Sequence, residues 1–350
     1  MLKLIFATAL CVLGGCASIA YYAQAVDGQM RLMASTRPIS EMVNDGTTDP
    51  GLRQQLERVS AIRDFASRNL ALPNNGSYRS YADLGRPYVV WNVFATPEFS
   101  VDPQQWCPLM VGCVNYRGYY DKNDASRYAG ELRQSGVDVY VAGVPAYSTL
   151  GYFNDPVLNT FLRFGDQEVA RTVFHELAHQ LVYAADDSAF NESFATTVEN
   201  EGTRRWLKQM AKPEGLRDFE TRQDHQAQFF QLVAHNRENL RAIYASTLAP
   251  DAKRHAKADV FEGMKQTYSG LKASWGGYAG YDFWFNLPLN NATLGSVILY
   301  TQWVPAFNAL LEQEGGSLPR FYQRVAALAR LPQIERSAAL NYLMPVSTSA

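Results

Sequence analysis

Apolar side chains at positions 52, 56, 59, 62, 65, 66 and 70 recur at helical spacing, and Pro73-Asn74-Asn75-Gly76 closes the run. This pattern predicts an amphipathic helix from Leu52 to Leu70. The pattern then changes. Tyr88 to Phe94, between Pro87 and Pro97, and Val137 to Ala142, after a helix-like stretch and Gly136, are rich in β-branched and aromatic residues and read as strands, with a further strand around Tyr116 to Tyr120. Residues from about 75 to 150 therefore form a small sheet region. Beyond Asp166 helical periodicity dominates, over 167–184, about 188–210, 215–246, 251–272, 291–313, and 317–343 in one or two pieces. Pro213 and Pro250-Asp251 punctuate these helices without dividing them into domains. Strands first and helices afterwards predict an α+β fold, a small N-terminal sheet region packed on a mainly helical unit. The expected organisation is a leader, 1–16, and one domain, 17–350, with its helical region over about 166–345.

The leader has its own pattern: Lys3 is its only charge, an apolar run extends from Leu4 to Leu13, and Gly14, Gly15 and Cys16 follow. This is a signal peptide. Leu13-Gly14-Gly15-Cys16 resembles the bacterial lipoprotein box, in which the cysteine receives a diacylglycerol and becomes the mature amino terminus. The alternatives are a secretory signal cut near Ala17 or Ala20, or a short uncleaved anchor. The run is shorter than the about 20 apolar residues a membrane span needs. Ala17 stands where an aspartate would signal inner-membrane retention, so the resemblance implies lipid anchoring at Cys16 to the outer membrane of a Gram-negative cell, facing the periplasm.

Composition narrows the function classes. The 350 residues, 47% hydrophobic and 19% charged, suffice for a large core, and 32 basic against 34 acidic side chains leave a net charge of −2. Such a balance provides no basic field for nucleic acid. Oligomeric state is not legible. Of four cysteines, Cys11 and Cys16 belong to the leader; Cys107 and Cys113 remain, and Pro108 and Gly112 between them make a tight disulfide loop feasible in an oxidising compartment. Two buried thiols or two metal ligands are the other readings, and a lone pair at this spacing makes a poor structural zinc site.

The chemistry concentrates at His175-Glu176-Leu177-Ala178-His179. Four residues turn a helix by about 400°, so both imidazoles leave nearly one face and can reach a single tetrahedral ion, with Glu176 about 100° aside, where a base for metal-bound water belongs. Two hydrogen-bonded histidines on a buried helix are the alternative. Val173, Phe174, Leu177, Ala178, Leu181 and Val182 make this helix apolar nearly all round, however, and burying two imidazoles and a carboxylate without partners is costly. Downstream, Glu192 and Glu199 are seven residues apart, about 700° of rotation, and so share a helix face.

Asn191-Glu192-Ser193-Phe194-Ala195 is similar to the Asn-Glu-Gly-Phe-Ala stretch of gluzincin aminopeptidases, whose glutamate is the third zinc ligand. The resemblance implies a thermolysin-like zincin unit with one zinc held by His175, His179 and Glu192. Only twelve residues separate His179 from Glu192, fewer than in those enzymes, and Glu199 matches the thermolysin spacing better. Glu192 is preferred because the local motif places it at the start of the second helix; Glu199, two turns on, would then accept the free N–H of a ligand histidine. Ala146-Tyr147-Ser148-Thr149-Leu150-Gly151 lies where gluzincins place the edge strand that pairs with peptide substrate. The leader with Tyr21-Tyr22, Trp91-Asn92, Tyr116-Arg117-Gly118-Tyr119 and Asn290-Asn291-Ala292 also resemble a family of proteobacterial lipoproteins described as putative aminopeptidases.

These resemblances imply peptide-bond hydrolysis, with zinc polarising the carbonyl and Glu176 taking the proton of zinc-bound water. Trp275-Gly276-Gly277-Tyr278-Ala279-Gly280-Tyr281 offers Tyr278 and Tyr281 as oxyanion donors. Tyr147 and Asn290 are candidate substrate contacts, although helix capping accounts for an asparagine before Ala292 equally well. No residue for a substrate amine is identifiable, which leaves aminopeptidase and endopeptidase both open. The competing classes are a catalytically silent zinc-binding envelope lipoprotein and a zinc hydrolase of non-peptide bonds; a silent binder has no use for Glu176 beside the metal.

Overall fold

The computed structural model describes residues 19–108, 112–298 and 302–344. The leader and its Cys16 lie outside the described residues. The N-terminal half holds α1 (residues 19–34), β1 (Arg37–Pro38), α2 (Ile39–Asn44), α3 (Pro50–Leu70), β2 (Ser80–Ala82), β3 (Val90–Thr96), β4 (Arg117–Tyr119), α4 (Lys122–Gln134), β5 (Asp138–Val144) and β6 (Val157–Leu158). Helices follow: α5 (Asn159–Leu162), α6 (Asp166–Leu181), α7 (Ser188–Gln209), α8 (Pro213–Ala245), α9 (Pro250–Ser274), α10 (Asp282–Phe285), α11 (Asn291–Ile298), α12 (Val304–Gln313), α13 (Leu318–Ala329) and α14 (Gln333–Leu343). Helix predominates, with two small sheets, and the fold is α+β.

Antiparallel β4-β3-β5 forms one sheet, in which Val93 pairs with Arg117 on one side and with Val141 on the other. The second sheet, β1-β2-β6, joins Arg37 to Tyr81 and Tyr81 to Val157, so it reaches beyond the expected 75–150 region at both ends. The pattern along the chain missed β1 and β6 because two residues carry no alternation. The segment Ala146–Gly151 is not itself a strand. One edge of the β4-β3-β5 sheet is β5, which ends at Val144, and the chain continues from it in irregular form.

Prolines mark the breaks in the 291–313 stretch, expected as one helix, and in 317–343, expected in one or two pieces. The 291–313 stretch divides into α11 and α12, with Pro305 in the first turn of α12, and 317–343 divides at Pro332 between α13 and α14. Proline lacks the N–H that a helix interior needs, so it is tolerated only near a helix start.

The main core lies between α3, α6, α7 and α12, where Leu56, Phe174, Leu177, Phe194, Val198 and Phe307 are buried. Helices α6 and α7 approach closely because Gly202 faces Leu70 and Phe174; a Cβ there would stand 2.7 Å from Leu70 and 2.8 Å from Phe174. Asp187 starts α7 by accepting from the Phe190 N–H and pairs with Arg336 of α14 at 2.6 Å, both buried. A pair so placed fixes the α6–α7 turn firmly, since removing either partner would strand a buried charge. A second aromatic core, around Phe229, Phe261, Met264, Tyr268 and Phe285, joins α8 to α9 and α10.

Candidate metal centre and cleft

Helix α6 starts at Gly165, whose φ of 86° suits glycine, and carries Asp166 and Glu168 in its first turn, where the helix dipole favours acid. Its buried residues are apolar apart from Glu176 and His179, and Arg171, His175 and His179 share one face. Opposite runs α7. The short turn between them is laced by Asn191, which accepts from the Ala184 N–H and donates to the Ala184 carbonyl, each at 2.7 Å. This places Glu192 one turn into α7 against both histidines.

The distances form a triangle. His175 Nε2 stands 3.2 Å from Glu192 Oε2 and 3.2 Å from His179 Nε2, and His179 Nε2 stands 3.7 Å from Glu192 Oε2. Metal–nitrogen and metal–oxygen bonds of about 2.0–2.1 Å imply ligand separations of about 3.3–3.4 Å at the edge of a tetrahedron. The three atoms meet that requirement closely, and together they are a group that could hold a metal ion. His179 Nδ1 is buried with no hydrogen-bond partner among the described residues.

Electrostatics agree with the geometry. Burial alone would lower the pKa of His175, but hydrogen bonds to Glu192 and Glu199 outweigh it and raise it well above the ordinary range. Burial would likewise raise the Glu192 carboxyl, yet the His179 charge and the His175 hydrogen bond hold it far below its usual range. Positive charge is therefore favoured where the three side chains meet, and a cation bound there would displace the histidine proton. Burial pushes Glu176 up to about 7, against the opposing pull of His175 and His179. A base titrating near neutrality is suited to proton transfer.

Glu199 stands behind His175. Its Oε2 is 3.0 Å from His175 Nδ1, on the ring edge away from Glu192, while its Oε1 accepts from Arg171 Nε at 2.7 Å. Arg171 also donates to Glu168. Glu199 thus orients the imidazole and is itself held by a guanidinium, the arrangement that fixes a ligand histidine's tautomer.

The group opens into a cleft of about 800 Å³ walled by α6 and α7, by Val144 to Ser148 after β5, by Tyr116 and Tyr183, and by Tyr21 and Tyr22 of α1. Tyr147 is in that wall, its hydroxyl bonded to Tyr120 and Gln29. The other candidates lie elsewhere. Tyr281 stacks on Phe229, itself a lining residue, with ring centroids 4.2 Å apart and packs against the aromatic core, and Tyr278 packs on His225 at 4.9 Å; neither tyrosine is among the residues lining the cleft. Asn290 accepts from the Thr293 N–H at 3.0 Å and donates to the Val139 carbonyl, which ties the start of α11 to the sheet. Cys107 and Cys113 are joined by a disulfide.

Arg171, Tyr183 and Tyr116 are among the lining residues to which the sequence reading gave no role. Arg171 and Tyr183 continue the four-residue spacing of His175 and His179, so helical periodicity could have found them. Tyr116 lies in irregular chain before β4 and carries no such signal. Burial first, and then the nearby Glu192 charge, raise the pKa of both phenols, Tyr183 to about 12, so both keep their protons near neutrality.

A cleft with a two-histidine, one-glutamate group and an adjacent buried glutamate defines a candidate metallohydrolase centre. The chain belongs to the family described as "Putative aminopeptidase", whose family model matches residues 20–340. Neither the curated proteins nor the solved structures include a match. Family membership suggests peptide hydrolysis, with a peptide as substrate.

Proposed function

We propose that the chain is a zinc-dependent aminopeptidase whose ion is held by His175, His179 and Glu192. The observation carrying this reading is the triangle of 3.2, 3.2 and 3.7 Å between three ligand atoms, with Glu176 one residue from a ligand. Two imidazoles and one carboxylate suit zinc and leave a fourth position open to solvent and substrate. When bound, zinc supplies a Lewis acid that polarises the scissile carbonyl and lowers the pKa of water.

The protein's own groups do the rest. Glu176 accepts a proton from the attacking water and delivers it to the leaving amine. Tyr116 and Tyr183, protonated at neutral pH, can donate to the oxygen on which negative charge grows, in place of Tyr278 and Tyr281, which do not line the cleft. Glu199 and Arg171 hold the His175 ring, and the chain leaving β5 offers backbone to an extended peptide. A panel of peptides with free and blocked amino termini, assayed with and without chelator, tests the reading. Chelator-sensitive cleavage only of free amino termini is expected. Cleavage of blocked peptides in mid-chain would make it an endopeptidase, and chelator-insensitive cleavage would contradict the metal.

We also propose that Cys16 carries lipid and tethers the chain to the outer membrane, motivated by Leu13-Gly14-Gly15-Cys16. Labelled fatty acid should enter the natural chain and not its Cys16→Ser variant; equal labelling of the two would count against it.

A further inference from the structure

Helix α1 has two unlike faces. Its inner face packs on the sheet: Tyr21 lies under Arg117 at 4.0 Å and edge-on to Tyr119, Gln24 bonds Gly118 and Tyr120, and Gln29 accepts from the Tyr120 hydroxyl. Gly28 lets the helix lie directly on Tyr120, whose ring would be 2.2 Å from any Cβ at that position. The helix is therefore a fixed wall, and Tyr21 and Tyr22 line the cleft from it.

The outer face carries Ile19, Val26 and Met30, exposed by 70%, 63% and 56%, and Tyr22, exposed by 38%, stands at its edge where it borders the cleft. At about 100° per residue these four fall within an arc of about 80°, and they run for about 16 Å along the helix. Asp27 and Arg31, paired with each other at 2.9 Å, flank the stripe on its solvent side. Such an apolar stripe with a polar border has the form of a helix lying in a membrane interface. No helix among the described residues is long and apolar enough to cross a membrane.

We propose that α1 docks on a lipid bilayer through Ile19, Tyr22, Val26 and Met30, so that the cleft lies beside the membrane surface. What selects a bilayer over a protein partner is the chain just upstream. The apolar run Leu4–Leu13 ends close before Cys16, and only two residues, Ala17 and Ser18, separate Cys16 from Ile19, a reach of about 10 Å in extended chain. A chain attached to lipid at or before Cys16 has no freedom to hold α1 away from the headgroups. The cleft wall formed by Tyr21 and Tyr22 then stands within about one helix diameter, 10–12 Å, of the bilayer. The proposal rests on attachment of the chain to a bilayer ahead of α1.

The test supplies that attachment chemically. A chain beginning at Cys16 has one free thiol besides the disulfide pair, and this is coupled to a maleimide lipid in phosphatidylethanolamine–phosphatidylglycerol vesicles carrying brominated acyl chains. Tryptophan is introduced singly by Val26→Trp, Met30→Trp, Asp27→Trp or Arg31→Trp, and the added emission is compared with the parent chain. Loss of about half or more of the added emission at 26 and 30, with little loss at 27 and 31, is expected for an interfacial helix. Equal quenching at all four positions, or at none, overturns the proposal. Dimerisation in lipid-free solution that Met30→Glu abolishes would also overturn it, by assigning the stripe to a second copy of the chain. Failure of fatty-acid labelling at Cys16 would defeat the lipid-anchor reading alone, because the vesicle tether does not depend on it.

Discussion

The helix pair α6–α7 and the segment Trp275–Tyr281 both offered functional side chains in the sequence, and the structure treats them differently. In α6 and α7 a spacing of four and a spacing of seven brought His175, His179, Glu192 and Glu199 together, the first three as a triangle that could hold a metal ion and Glu199 behind His175, because a helix converts residue number into direction. In Trp275–Tyr281 the glycines at 276 and 277, both at positive φ, set the path of the chain, and Tyr278 and Tyr281 turn into an aromatic core with His225 and Phe229. Regular backbone makes chemistry legible. Irregular backbone does not.

Replacement of the base should break the comparison most severely. Glu176→Gln keeps the shape of the side chain but cannot accept a proton, so turnover should fall by about 10²–10⁴-fold while bound metal is unchanged. Full retained turnover would place the activity outside this cleft. Glu199→Gln removes the acceptor behind His175 and should cost about 10–100-fold in metal affinity or rate. Because Glu199 lies on the Nδ1 side of the ring, complete loss of metal would instead identify it as a ligand. Tyr278→Phe and Tyr281→Phe, in the aromatic core, should each change kcat by no more than about twofold. A larger fall, with KM unchanged, would return an oxyanion role to that segment.

The smallest effect concerns Asp155, buried behind the cleft wall. Burial raises its carboxyl to about 6, although Thr149 and Gln180 donate to it. The folded state therefore holds a proton that the unfolded chain has already released, so this residue's contribution to stability should decline between about pH 4 and pH 6 and level off above. Asp155→Asn should flatten the denaturation midpoint over that interval; an unchanged pH dependence would remove Asp155 from the account.

The major helices and the shared faces of His175 with His179 and of Glu192 with Glu199 were legible from helical period, the α+β class from strand-forming runs ahead of those helices, and the choice of Glu192 from the resemblance of Asn191–Ala195 to a known motif. Strands β1 and β6 were not legible, since two residues show no alternation, and α1 was obscured by the leader it follows. Tyr116 reaches the cleft through tertiary packing alone. The edge strand on that side of the sheet is β5 and not Ala146–Gly151, because the chain leaves its pairing with β3 at Val144.

The central claim is that α6 and α7 build a catalytic metal centre, and the metal content of the purified chain tests it most directly. About one zinc per chain is expected, retained in Glu176→Gln and lost in the His175→Ala, His179→Ala double variant with the helical circular dichroism preserved. Metal content unchanged by the double variant, in a chain that still folds, would contradict the claim.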